Sequence, residues 1–424
     1  METNQFSQIV SDQKQELNRL RSASLCQRKE EERFELDSPL AQIVIGVRRS
    51  GKSTLCHKVL NKHKINYAYL NFDDERLYRL KSEDLNTLLE ALYIVYGDFE
   101  YLFLDEIQNI SEWFLFVNRL LRQNIRLVIT GSNAKLLSSE LATHLTGRDN
   151  KIELFPFSFE EYCEYKQVDT KDISTKGVAF KKSAFSEYML RGGFPELFNV
   201  KNRRGYIQGL LDSIIKRDIQ QRFKVKYVES LRMIANHLID NFGQEISYKD
   251  LAKRFGLGSS HTAENYVGYL KQAYLLLGVK KFSYKSKDRI RNEKSYVIDL
   301  AFISEREDSM MGENLGWRLE NLVYIELLRR TRPLFQDLYF YRKGYEIDFV
   351  ICEGNRVIEL IQVSVDVSSP KTYKREVSAL VKGSAELHCD KLTLITNNES
   401  RRVTEDGCDI NIVSIVDWLL FTSR

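Results

Sequence analysis

The chain has 424 residues, too many for one ordinary domain, so two to four domains are expected. Hydrophobic residues make up 43% and charged residues 29%, and only 5 prolines occur, which excludes a disordered or low-complexity chain. A formal charge of +4 is close to balance and says little about partners until the charges are placed.

Residues 1–37, rich in Glu, Arg and Gln, read as an N-terminal helical arm. Strands and helices then alternate. Ala41–Gly46 is a strand rich in β-branched residues, Ser50–Asn61 a helix, Tyr67–Phe72 a strand and Leu85–Tyr96 an amphipathic helix. Tyr101–Leu104 is a third strand, Glu112–Arg122 a helix and Arg126–Thr130 a fourth strand. Such alternation predicts a parallel sheet with helices on both faces. After residue 155 the pattern is mostly helical to about residue 275, then basic and strand-like, then mixed α/β beyond about 300. Boundaries are expected near 155, 200 and 300.

The six cysteines, Cys26, Cys56, Cys163, Cys352, Cys389 and Cys408, are scattered without a CxxC pair. Neither a zinc site nor a disulfide framework is expected. No stretch approaches the ~20 apolar residues that cross a bilayer. Met1 to Arg21 lacks an apolar signal core. Both absences point to a cytoplasmic protein with no membrane partner.

Residues 46–54 read Gly-Val-Arg-Arg-Ser-Gly-Lys-Ser-Thr, which meets the GxxxxGK[ST] pattern between a strand and a helix. Glycines let backbone N–H groups approach phosphate oxygens, and the helix N-terminus adds partial positive charge. Gly46, Arg48, Arg49, Ser50, Gly51, Lys52, Ser53 and Thr54 are therefore candidate nucleotide-binding residues. Lys52 is placed for the β- and γ-phosphates and Ser53 for Mg²⁺. The apolar strand Tyr101–Leu104 ends in Asp105 and Glu106. Asp105 would hold Mg²⁺ through water, and Glu106 would polarise the attacking water. A further strand ends in Thr-Gly-Ser-Asn133, whose amide could reach the γ-phosphate or the water. Arg148 is placed to act as an arginine finger toward a neighbouring subunit, which would require a homo-oligomer.

The run GVRRSGKST, then YLFLDEIQNISEW, TGSNAKLL, LTGR, LFPFSFEEY and RGGFPEL, resembles one group of prokaryotic AAA-type ATPases. In these an ATPase domain is joined to a C-terminal domain of unknown function. The resemblance covers nearly the whole chain. It implies an AAA+ fold, a P-loop NTPase parallel sheet, with a helical lid over about 156–200. It also implies ATP and Mg²⁺ as cofactors and gives Asp105, Glu106, Asn133 and Arg148 the roles above. Arg191 falls where such lids place a residue that senses nucleotide.

Glu245–Gly256 resembles the first half of a helix-turn-helix, with Ser247 as N-cap and Leu251, Ala252 and Phe255 on one apolar face. Ser259–Tyr274 would be the second helix, with Ser260, His261, Thr262, Asn265 and Tyr266 near its exposed start. Residues 280–294 hold seven Lys/Arg against two acids, with Phe282 and Tyr284 interleaved. Such a stretch could be a wing lying on DNA phosphates, with Lys280, Lys281, Lys285, Lys287, Arg289 and Arg291 as contacts. Winged helices also mediate protein contacts.

The last part, a helix over Asn314–Arg330 followed by Glu346-Ile-Asp348 and Val357-Ile-Glu359-Leu-Ile-Gln362, resembles the nuclease-like α/β fold of restriction enzymes. Active members bind Mg²⁺ with an Asp and a Glu and carry a lysine two residues after the Glu. Here Gln362 is read at the lysine's place, and Glu359 is one position from the expected acid. The domain is therefore expected to be inactive, with Glu320, Asp348 and Glu359 as a weak metal site at most. The expected organisation is 1–155 for arm and ATPase core, 156–200 for the lid, 201–300 for a winged helix and 301–424 for the nuclease-like domain. Three functions compete: an ATPase coupling ATP/ADP state to DNA or a DNA-bound partner, an ATP-regulated nuclease, and a signalling or scaffold ATPase with a protein partner.

Overall fold

The computed structural model describes residues 2–20, 26–133, 145, 147–284, 292–306 and 314–421. It divides into two units, Met1–Phe155 with Gln272–Tyr274, and Pro156–Lys271 with Leu275–Arg424.

Five strands form the sheet of the first unit: β1 (Ala41–Ile45), β2 (Tyr67–Asn71), β3 (Tyr101–Asp105), β4 (Arg126–Gly131) and β5 (Asp149–Glu153). Their order is β2-β3-β4-β1-β5, and every pairing is parallel. β1 and β3 are buried throughout, Gln42 and Asp105 included, as strands covered on both faces are. Among the described residues this unit has the α-helices α1 (Thr3–Leu20), α2 (Lys52–Lys62), α3 (Leu85–Tyr96) and α4 (Trp113–Arg122). The core gathers Val44, Leu55, Val59, Phe103, Val128 and Ile152. Burying one such side chain contributes about 2 kcal/mol.

The expected N-terminal arm is a helix docked on this unit. Phe6, Ile9, Val10 and Leu17 of α1 are buried. Gln13 Nε2 donates to Asn71 O at 3.1 Å and Asp74 Oδ2 at 2.9 Å, and Lys14 Nζ donates to Val95 O at 2.8 Å.

The second unit begins with α5 (Phe159–Tyr165), α6 (Thr175–Arg191) and α7 (Arg203–Ser213), the last continued by π-helical turns over Ile214–Gln220. Next come α8 (Val228–Asp240), α9 (Tyr248–Arg254) and α10 (Ser260–Gln272), then the antiparallel pair β6 (Leu276–Lys281) and β7 (Glu293–Val297). Beyond the short α11 (Ala301–Ser304) lie α12 (Leu315–Thr331), β8 (Asp337–Arg342), β9 (Glu346–Glu353) and β10 (Arg356–Ser364). The chain continues through α13 (Pro370–Leu387), β11 (Leu392–Thr396), β12 (Arg401–Glu405), β13 (Cys408–Ser414) and α14 (Ile415–Phe421).

Eight strands form one mixed sheet in the order β12-β13-β11-β10-β9-β8-β6-β7. β6 runs parallel to β8, so the sheet continues across residue 300, where the sequence suggests a boundary. Its core includes Ile347, Val350, Leu360, Leu380, Leu394 and Ile412.

Candidate functional site

The loop between β1 and α2 is shaped by its glycines. Gly46 has φ +155°, and a Cβ there would lie 2.0 Å from Leu154 O, so no other residue fits. Gly51 caps α2, which aims that helix's free N–H groups at the loop. Arg28 is buried beneath: its Nη1 donates to Ser50 O at 3.3 Å and its Nη2 to Phe155 O at 2.7 Å. Nothing local in the sequence marks Arg28, because its partners lie 22 and 127 positions away.

Lys52 is buried, donates to Val47 O at 3.2 Å and lies 3.6 Å from Glu106 Oε1. Ser53 Oγ donates to Asp105 Oδ1 at 2.9 Å. The same Oδ1 accepts from Thr130 Oγ1, and Oδ2 accepts from Tyr69 at 3.0 Å. Burial and the neighbouring Glu106 raise the Asp105 pKa, against the hydrogen bonds from Thr130, Ser53 and Tyr69. Sequence reading passed over Tyr69 and Thr130. The signal that finds them is the alignment of the ends of β2 and β4 with that of β3.

Glu106 follows β3 in the left-handed region, φ 55°, a strained geometry for a non-glycine. Its N–H donates to Thr130 Oγ1 at 3.1 Å, and its Oε2 accepts from Ser132 N at 3.2 Å and from Gln108. The strain is held by β4, so Glu106 and the buried Asn133 both belong to the β3–β4 end of the sheet.

This arrangement fits a magnesium-bound phosphate chain. Ser50 Oγ is buried in the loop with no hydrogen-bond partner among the described residues, an acceptor or donor left over for a ligand. Ser53 and Asp105 bring a hydroxyl and a carboxylate together, the oxygen donors that Mg²⁺ prefers. Arg49 and Thr54 are exposed on the loop and α2, and Arg48 pairs with Asp73 at 3.1 Å.

Arg148 is exposed, and its carbonyl accepts from Ala41 N at 2.9 Å. Ala41 opens β1, whereas Gly46 follows its end. At ~3.3 Å per residue the two ends stand roughly 15 Å apart, beyond the reach of the arginine side chain. Arg148 and the phosphate loop of its own chain are thus at opposite ends of the sheet.

Arg191 ends α6 and pairs with Glu187. The glycine turn after it is tied down by Asp299: Oδ2 accepts from Gly193 N at 2.8 Å and Oδ1 from Ala301 N at 2.9 Å. Gly192 has φ +71°, and a Cβ there would meet Asp299 Oδ1 at 1.8 Å. Burial pushes the Asp299 pKa up to about 6, against the two N–H donors and Arg329.

Of the DNA-contact candidates, Ser260, His261, Asn265 and Lys280 are exposed and Thr262 half-buried. Tyr266 is not near an exposed surface: it is buried, and its hydroxyl accepts from Tyr227 N at 2.9 Å. Phe282 is likewise core, packed on Tyr339 and Tyr341. Lys280 and Lys281 lie in β6, paired on one side with β7 and on the other with β8. Lys285, Lys287, Arg289 and Arg291 lie outside the described residues.

The three expected weak metal ligands are not brought together. Glu359 accepts from Thr393 at 2.8 Å and pairs with Lys391 at 2.7 Å. It alternates with Leu360 and Gln362 along β10, which turns it to the other face from those two. Gln362 Oε1 accepts the Asp348 N–H at 3.2 Å. No group of three or more His, Cys, Asp or Glu suited to a metal occurs among the described residues. Nor is any helix among them long and apolar enough to cross a membrane.

A parallel sheet with a glycine-rich loop leading into a buried lysine and an acid-tipped strand one place beyond the adjacent strand defines a P-loop ATPase domain. A family model described as AAA domain matches residues 38–163, and one described as Domain of unknown function (DUF8612) matches residues 182–306. The chain belongs to the same family as the Uncharacterized protein MJ1544 of Methanocaldococcus jannaschii, with 35% identity over 395 residues, 89% of this chain and 88% of that one. An uncharacterized protein of Haemophilus influenzae is 30% identical over 398 residues, 91% of this chain and 95% of its own. Among solved structures, the Walker-type ATPase PABY2304 of Pyrococcus abyssi aligns with a TM-score of 0.41 and 16% identity, over 66% of this chain and 95% of that one.

Proposed function

We propose that the chain hydrolyses ATP with Mg²⁺ and uses nucleotide state to control binding of DNA or of a DNA-bound partner. The observation that carries the hydrolytic reading is the joined pair Ser53–Asp105, with Lys52 and Glu106 side by side next to it. Lys52 would leave Glu106 for the β- and γ-phosphates. Ser53 and Asp105 would hold the metal, which supplies charge neutralisation to the phosphates when bound. Glu106, freed from Lys52 and still held by Ser132 N–H, would polarise water, with Asn133 orienting it. Arg148 would serve a neighbouring subunit, and α6 with Arg191 would act as a nucleotide-sensing lid.

Support for the DNA half is the exposed N-terminal turn of α10 and the basic residues of the sequence over 280–291. The test is ATP turnover by wild type, Lys52→Ala and Glu106→Gln, each with and without duplex DNA. Turnover that survives Lys52→Ala overturns the site. Turnover by the wild type that DNA leaves unchanged, with no retention on a DNA column in any nucleotide state, overturns the coupling.

A further inference from the structure

A cleft of about 1090 Å³ in the second unit opens over Glu320, Glu346, Asp348 and Gln362. In a nuclease-like fold these are the positions from which acids would share a divalent metal. The residues present do not fit one.

Lys294, on β7, reaches into the acids. Its Nζ lies 3.1 Å from Glu320 Oε1 and 2.6 Å from Glu346 Oε1, and its side chain is 3% exposed. The ammonium also stands 5.4 Å from the centre of the Phe340 ring. Burial opposes its charge, yet Glu320, Asp348 and Glu346 hold its pKa above that of an ordinary lysine. A second cation brought beside a fixed ammonium would be repelled.

One oxygen each of Glu320 and Asp348 is also engaged by a hydrogen-bond donor. Tyr296 donates to Glu320 Oε1 at 2.6 Å, and Val363 N donates to Asp348 Oδ2 at 2.8 Å. Gln362 turns its NH₂ group to Glu376 at 2.7 Å, so a donor points where a ligand oxygen would be required.

We propose that the Lys294 ammonium is the resident cation of this cleft, standing in for a divalent metal between Glu320, Glu346 and Asp348, so that the cleft takes up no metal while that lysine is present. The inference is independent of the nucleotide reading of the first unit.

The test is Mn²⁺ binding to the full chain without nucleotide, in a Ser53→Ala background that removes the loop's own metal ligand. Electron paramagnetic resonance counts free and bound Mn²⁺, and thermal melting reads stabilisation. The Lys294 protein should bind no Mn²⁺ at millimolar concentration and show no Mn²⁺-dependent rise in Tm. Lys294→Met, or the milder Lys294→Gln, should bind one Mn²⁺ per chain, roughly tenfold tighter or more than the Lys294 protein, with Tm rising as Mn²⁺ is added. Adding Asp348→Asn to either variant should abolish that gain. Stoichiometric Mn²⁺ on the Lys294 protein that Asp348→Asn removes overturns the proposal, whether or not the lysine variants fold. A folded Lys294→Met or Lys294→Gln chain that gains no Mn²⁺ overturns it as well.

Discussion

Two clusters in this chain have nearly the same composition and opposite readiness. In the first unit a buried lysine, Lys52, lies 3.6 Å from Glu106 beside the buried Asp105. In the second, Lys294 lies 2.6 Å and 3.1 Å from two glutamates beside the buried Asp348. What differs is what remains to be satisfied. The first cluster has a loop opened by Gly46, a helix N-terminus and the Ser50 hydroxyl, which has no partner among the described residues. In the second, the lysine closes on the acids at short range and the nearby amide is spent on both sides. A lysine among acids is therefore a waiting contact in one place and a finished one in the other. The surrounding backbone decides which.

The contrast can be broken most directly at Lys52. Lys52→Ala should lower ATP turnover by about 10³-fold, and Glu106→Gln by about 10²-fold with ATP binding retained. Phosphate release measures the first, and equilibrium binding of a fluorescent ATP analogue separates the second. Equal loss of binding in both would erase the distinction between a phosphate-holding lysine and a water-polarising acid.

At Lys294 the expected effect is on stability. Removing one partner of a buried charge cluster costs about 3 kcal/mol, so Lys294→Met should lower the urea midpoint, while Lys52→Ala should move it much less. Similar shifts for the two would show that both lysines are structural.

Asp299 sharpens the comparison, because it is a buried acid held mainly by backbone N–H groups. Its pKa is raised from 3.8 to about 6 in the folded chain, so folding favours its protonated form. That stability is fully present below pH 3.8 and is lost as pH rises through about 6. The loss amounts to at most about 3 kcal/mol. Denaturation across that range should show the fall in the wild type, and a fall of the same size in Asp299→Asn would assign it to another group.

The smallest expected effect lies outside both clusters. Under the DNA reading, Lys280→Ala with Lys281→Ala should reduce the slope of log affinity against log salt by about 2. An unchanged slope would remove β6 from the contact surface.

The phosphate loop was legible because its chemistry is local: glycine and lysine spacing, a strand before and a helix after. Asp105 and Glu106 were legible for the same reason, as acids at the tip of an apolar run. Tyr69 and Thr130 were not, because they meet Asp105 only through the strand order β2-β3-β4. The second cluster was least legible. Lys294 meets Glu320 across 26 positions, through the approach of α12 to β7. The partners of Gln362 were hidden as well, because spacing along a strand cannot reveal that its amide meets Asp348 and Glu376. Tyr266 and Phe282 looked like surface residues among polar neighbours, but helix packing and the continued sheet turn them inward.

Arg148 sits at the far end of the sheet from its own phosphate loop. In the arginine-finger reading, every complete catalytic centre then has two owners. A Lys52→Ala chain would be dead as a host yet sound as a donor, and an Arg148→Ala chain the reverse. Mixed together, two inactive preparations would complement each other, and activity would rise more steeply than in proportion to protein concentration as chains assemble.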